Sequence, residues 1–161
     1  MPKKLTRSEN MARIRSRDTK PEIQLRQALW AEGFRYRLNS KLPGRPDIIF
    51  TKSRIAIFVD GCFWHGCPLH YLPPRTRQNF WKDKLKNNVL RDLAADDSLK
   101  SSGWQVIRIW QHELSDIENV ISRIAGLLGK SQDSDKYRNF GTYNSDANAI
   151  GNIISEQISD Y

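Results

Sequence analysis

Apolar positions in the first part of the chain recur at helical spacing. Ile23, Leu25, Leu29 and Trp30 lie on or near one face of a helix starting at Thr19. Thr19 is an N-cap candidate, Pro21 falls in the first turn, and Glu22 completes Thr-x-x-Glu, the sequence form of a capping box. Gly33 ends this helix. A shorter helix is expected over residues 7–16, carrying Met11. From Phe34 the pattern changes. Phe34 to Leu38 reads as a short strand with Arg35 and Arg37 on its second face, Asp47 to Thr51 as another, and Arg54 to Asp60 as a third. The third is apolar almost throughout, which predicts a central strand buried on both faces. Lys52-Ser53 is a tight connection, so the second and third strands should form an antiparallel hairpin.

Residues 61–77 are rich in Pro and Gly and read as an irregular loop. A long helix is expected over about 79–101, closed by Gly103, then a strand over Trp104 to Trp110, then a helix over about 114–128. A helix between the third and fourth strands permits a parallel crossover. The expected fold is therefore α/β: a mixed four-stranded sheet flanked by helices.

At 161 residues the chain is long enough for one domain. The division expected is a basic arm over 1–18, a domain over 19–129, and a polar, flexible tail over 130–161 in which Ile150, Ile153, Ile154 and Ile158 allow a short amphipathic helix. No stretch is apolar enough to span a bilayer, and the first residues lack the apolar segment of a signal peptide, so a cytoplasmic protein is expected. The net charge of +8 is concentrated: residues 1–46 hold 12 Lys/Arg against 4 Asp/Glu, and residues 47–161 hold 14 of each. Such an arm suits phosphate contacts, with salt-dependent affinity for nucleic acid.

Candidate chemistry falls largely between residues 47 and 70. Cys62, Cys67 and His70 stand in C-x4-C-x2-H spacing, three of the four ligands of a tetrahedral zinc site; the fourth is either His112 or His65. Asp47, fixed by Pro46 at the start of a strand, suits Mg²⁺, which takes oxygen ligands and keeps water for chemistry on phosphate. Asp60 closes an apolar strand, where a charge is costly unless paired or metal-bound. His65, if not a zinc ligand, can act as a general base, and Asp92 on the long helix can orient it. Phe63 and Trp64 sit in a loop where no core pattern demands them, and Phe80 and Trp81 open the next helix; such rings can wedge between base pairs, or can pack over the loop as a small core. Arg45, Arg75 and Arg77 are candidates for reading DNA.

Taken together, these residues resemble the very-short-patch-repair (Vsr) DNA mismatch endonucleases. The likeness runs from about Thr6 to Leu114, through Thr6-Arg7-Ser8-x-Asn10-Met11, Arg17-Asp18-Thr19, Leu42-Pro-Gly-Arg-Pro-Asp47, Gly61-Cys-Phe-Trp-His65, Phe80-Trp81, Lys86-Asn87-Asn88-Val89 with Arg91-Asp92, and Gly103-Trp104. The resemblance implies an αβββαβ core like that of the PD-(D/E)xK nucleases, with Asp47 as the Mg²⁺ ligand and the backbone carbonyl of Val59 near that metal. It implies His65 as the catalytic histidine supported by Glu22 and Asp92, and structural zinc on Cys62, Cys67, His70 and His112, which favours His112 over His65. Phe63, Trp64 and Trp81 match aromatics that enter DNA from the major groove, and Met11 a residue that enters from the minor groove. The implied activity is a nick 5′ to the thymine of a T·G mismatch left by deamination of 5-methylcytosine, in a monomer accompanied by a cytosine-5 DNA methyltransferase. Asp60 is a departure, since a better-known member of the family has histidine at the end of the third strand; a second Mg²⁺ ligand or a pKa effect on a neighbour is the expected consequence. The other readings of the residues are a restriction-like endonuclease of the same fold and a non-catalytic, zinc-dependent DNA-binding module.

Overall fold

The computed structural model describes residues 6, 17–38 and 40–129. The helix expected over 7–16, with Met11, and the tail over 130–161 lie outside the described residues.

Helix α1 spans Lys20–Ala31, followed by strands β1 (Ile48–Phe50) and β2 (Ile55–Asp60), helix α2 (Gln78–Ser101), strand β3 (Gln105–Trp110), a 3-10 helix (Gln111–Asp116) and helix α3 (Ile117–Leu127). The sheet order is β1-β2-β3. β1 and β2 are an antiparallel hairpin, with Ile48 opposite Ile57 and Phe50 opposite Ile55. β3 returns through α2 to lie parallel to β2, with Asp60 opposite Trp110. β2 is therefore the central strand, and five of its six residues are buried. Alternation along it divides two apolar layers. Ile55 and Ile57 join Leu25 and Leu29 of α1 and Val120 and Ile124 of α3 on one face. Ala56 and Phe58 join Leu99 of α2 on the other. The sheet is thus covered on both faces, as a nearly continuous apolar strand requires.

Three expectations change. Four strands become three among the described residues: the segment around Phe34 to Leu38 makes one antiparallel bridge, Arg37 to Ile49. Both hydrogen bonds of that bridge form (2.9 and 3.0 Å), but β1 is only three residues long and offers no longer ladder. The last helix begins later than expected, because Gln111–Asp116 is wound as a 3-10 turn in which Glu113 Oε2 accepts from Trp110 N at 2.6 Å. The expected capping box is replaced by contacts of Glu22 with the Thr19 hydroxyl and with the residue before the cap. Glu22 Oε1 accepts from the Thr19 hydroxyl (2.7 Å) and its Oε2 from Asp18 N (2.8 Å), while Thr19 makes no side-chain cap.

Candidate active site and metal centre

The turn Leu42-Pro-Gly-Arg-Pro46 brings Asp47 to the start of β1. Gly44 has φ +70°, and a Cβ there would stand 2.8 Å from Ala95 Cβ on α2, so only glycine lets this turn lie against the helix. Asp47 N donates to Ile57 O at 2.9 Å, and Asp47 Oδ2 accepts from Val59 N at 2.8 Å. Burial pushes the Asp47 carboxyl up to about 6; the Val59 hydrogen bond and Arg26 oppose this, and the charges of Glu22 and Asp60 add to it. Its Oδ1 has no hydrogen-bond partner among the described residues.

Asp47 and Val59 line a cleft of about 330 Å³ with His65, Asp92, Asp60 and Glu22. His65 Nδ1 bonds Asp92 Oδ2 at 2.6 Å, which leaves Nε2 as the nitrogen available to a ligand. Asp60 Oδ1 is 3.8 Å from the same Nδ1. Burial acts to lower the His65 pKa, but the Asp92 hydrogen bond and the charges of Asp60 and Asp92 outweigh it, and the net shift is upward. Glu22 is buried, and both its oxygens are held, by Thr19 on one side and by Asp18 N and Arg26 on the other. Three residues that sequence reasoning passed over complete the cleft: Arg17, Arg26 and Arg108. Arg108 had a legible signal, as the one charge in Gln-Val-Ile-Arg-Ile-Trp. Its Nη1 meets both Asp60 oxygens at 2.9 Å, and its Nε and Nη2 fork onto Asp96. The charge that ends β2 is therefore paired, not unmet.

After Asp60 the chain turns through Gly61 to Tyr71. Cys62, Cys67, His70 and His112 each present a ligand atom, and these atoms all lie within 4.8 Å of one another. His112 comes from the 3-10 helix just past β3, and the parallel β2–β3 register is what carries it to the loop. Its Nδ1 is 3.3 Å from Cys62 Sγ and 3.5 Å from Cys67 Sγ; Cys67 Sγ is 3.7 Å from His70 Nδ1. A tetrahedral metal with metal–sulfur bonds of about 2.3 Å and metal–nitrogen bonds of about 2.0–2.1 Å sets sulfur and nitrogen about 3.6 Å apart. The spacing fits four ligands around one ion. His65 stands outside this group, on Asp92.

The aromatic residues do not stand free. Phe63 packs edge-on against Trp64 (5.1 Å between centroids) and Trp81 (5.3 Å), with Tyr71 beside it at 6.1 Å. Phe63 and Trp64 are half-buried, Trp81 is 8% exposed, and Phe80 is exposed. The small core weighed as the alternative is thus present. Yet the Trp81 indole Nε1 is buried with no hydrogen-bond partner among the described residues, which a settled core avoids. Arg45, Arg75 and Arg77 are all exposed; Arg45 lies at the cleft, and Arg77 precedes α2.

The fold and these two clusters place the chain among α/β proteins that set an acid and a carboxylate-oriented histidine beside a Cys/His metal centre. Comparison with known proteins narrows this. Residues 2–70 match the family model described as DNA mismatch endonuclease Vsr. The chain is 41% identical over 128 residues to the type II nicking enzyme V.NaeI of Lentzea aerocolonigenes, covering 76% of each chain. It is 41% identical over 111 residues to the DNA mismatch endonuclease Vsr of Escherichia coli K12, covering 67% of this chain and 70% of that protein. With the type II nicking enzyme V.XorIIP of Xanthomonas oryzae pv. oryzae the identity is 41% over 124 residues, 75% of this chain and 90% of the relative. The chain belongs to the Vsr family of DNA mismatch endonucleases.

Proposed function

We propose that this protein nicks one strand of duplex DNA 5′ to the thymine of a T·G mismatch, with Asp47 and His65 as the residues that carry the chemistry. The observation that carries the proposal is their convergence on one cleft: a half-buried carboxylate with one oxygen unbonded among the described residues, and a histidine whose Nδ1 is already held by Asp92. The cost of ionising Asp47, set first by burial and then by the charges of Glu22 and Asp60, is one a cation relieves, and Oδ1 is the atom to meet it. The donor set fits Mg²⁺, which is commonly bound through one or two carboxylates with water and phosphate completing the shell. Val59 would complete the site through its carbonyl. Asp60 is not a second ligand in this proposal, since both its oxygens accept from Arg108. Bound there, Mg²⁺ would supply charge stabilisation at the phosphate and a more acidic water.

His65 takes the proton of the attacking water at Nε2, and Asp92 holds the imidazole in the tautomer that allows it and stabilises the charge that forms. Glu22 supports the cleft by anchoring Arg26 and the start of α1. The Cys62, Cys67, His70 and His112 group would hold a structural zinc: with four protein ligands no position is open for catalysis. Its role is to fix the loop that carries His65 and the aromatic pair. Phe63, Trp64 and Trp81 would leave their cluster to enter the base stack, where a mismatch lowers the cost of unstacking. Met11 would act from the opposite groove, and Arg45, Arg75 and Arg77 would contact DNA. A cytosine-5 methyltransferase is the activity that supplies the lesion, through its methylated product. One active site suffices for one nick, so a monomer is the expected working form, in the cytoplasm with the DNA.

The test compares T·G with T·A duplexes in Mg²⁺. Nicking confined to T·G is expected, and Asp47→Ala and His65→Ala should each lower it by about 10²-fold or more with binding retained. Equal cutting of both duplexes would favour a restriction-like enzyme; binding without cutting would favour a DNA-binding module.

A further inference from the structure

Two carboxylates compete for one imidazole proton. Asp92 Oδ2 is 2.6 Å from His65 Nδ1, and Asp60 Oδ1 is 3.8 Å from the same atom. Asp60 is buried at the end of a central strand, and Asp92 stands on α2. The two acceptors ask for different ring orientations, so a histidine shared between them would not present Nε2 in one direction. Arg108 removes the ambiguity. It sits on β3 opposite Phe58, with its guanidinium 4.5 Å from the centre of that ring, and takes both oxygens of Asp60 at 2.9 Å. The far side of the same fork is fixed to Asp96 (2.9 and 3.2 Å), and Nη2 also lies 3.5 Å from both the carbonyl and the Oδ1 of Asp92, leaving Asp92 Oδ2 to His65. The planar guanidinium can hold a carboxylate through two N–H groups while its other edge is engaged; an ammonium cannot.

We infer that Arg108 is a positioning residue for His65: by occupying both oxygens of Asp60 it disables the rival acceptor, commits the imidazole to Asp92, and so aims Nε2 into the cleft. The inference rests on the proposed role of His65 in the nicking reaction. It also accounts for an aspartate at position 60, which is compatible with an oriented histidine only when its oxygens are taken.

The experiment uses Arg108→Met, Arg108→Lys, and Arg108→Met combined with Asp60→Asn, in the full, metal-loaded chain. Two readouts are taken: single-strand nicking of a T·G duplex, and the downfield imidazole N–H proton of His65 in histidine-labelled protein, assigned by its loss in His65→Ala. Arg108→Met should lower kcat by about 100-fold, the scale of misplacing a catalytic group by about 1 Å, while KM changes little. The Nδ1–H signal should weaken or broaden. Arg108→Lys should fall between, and it serves alone if the methionine variant does not fold. Adding Asp60→Asn to Arg108→Met removes the charged rival and should recover about tenfold of the loss together with the signal. A merely structural role predicts the opposite, since losing both partners of the clamp would leave the double variant no better than the single one. An unchanged kcat and signal in Arg108→Met, or no recovery in the double variant, would overturn the inference. If the wild-type chain fails to nick T·G duplex, the proposed function falls, and the proton signal still decides what Arg108 does.

Discussion

At the scale of single residues, Asp47 shows how packing raises the cost of ionising an acid. Its carboxyl is raised from 3.8 to about 6, first by burial and then by neighbouring negative charge. An acid whose folded pKa is raised stabilises the fold most when protonated, so that contribution is present below about pH 4 and lost as pH rises through about 6. Asp47→Asn keeps an oxygen for the Val59 N–H and never ionises. It should therefore be more stable than wild type by about 2–3 kcal/mol at pH 8 without added Mg²⁺, and equal to it near pH 4, measured by denaturant unfolding. Under the proposed role of Asp47 as the Mg²⁺ ligand, the gain should shrink when Mg²⁺ is added. Asp47 was legible from Pro-Asp at a strand start. The raised pKa was not, because it comes first from burial and then from the charges of Glu22 and Asp60, and both depend on how distant parts of the chain pack.

At the scale of elements, the turn before β1 and helix α2 work as a pair. Gly44 lies against Ala95 and Phe58, with φ +70°. Gly44→Ala should cost about 2–3 kcal/mol, the sum of an unfavourable backbone conformation and an overpacked contact, and should reduce nicking by displacing Asp47. Thermal unfolding and the T·G assay check both parts. The hairpin, the parallel crossover and the long helix were legible because each rests on local signals: a short connection (residues 51–54 in the structure, two residues longer than expected), a continuous apolar run, and a glycine stop. The first strand was misread because Phe34 to Leu38 has the right period for a strand, while the length of its ladder is set by a neighbour only three residues long. Likewise, the 3-10 turn depends on Glu113 reaching Trp110 N, a contact that periodicity does not reveal.

At the scale of the whole molecule, two sites share one loop. The Cys/His centre joins the segment after β2 to the turn after β3, and the same segment carries His65 to the cleft. Removing the metal with a chelator should lower the melting temperature, on the order of 10 °C, and Cys67→Ser should do the same without chelator; calorimetry and metal analysis check this. DNA affinity should fall steeply with salt, by about 10³-fold between 50 and 200 mM for some six phosphate contacts, given the basic excess of the first 46 residues. By itself the sequence determined the layered α/β plan, the ligand types and the acid–histidine pair, because backbone periodicity and residue chemistry are local properties. Tertiary structure alone decided that His112 and not His65 joins the Cys62, Cys67 and His70 cluster, that Asp60 is engaged by Arg108, and that the aromatics form a cluster. Each of these depends on which side chains from separate elements come within a few ångströms, and that distance is set by strand register and helix packing, not by spacing along the chain.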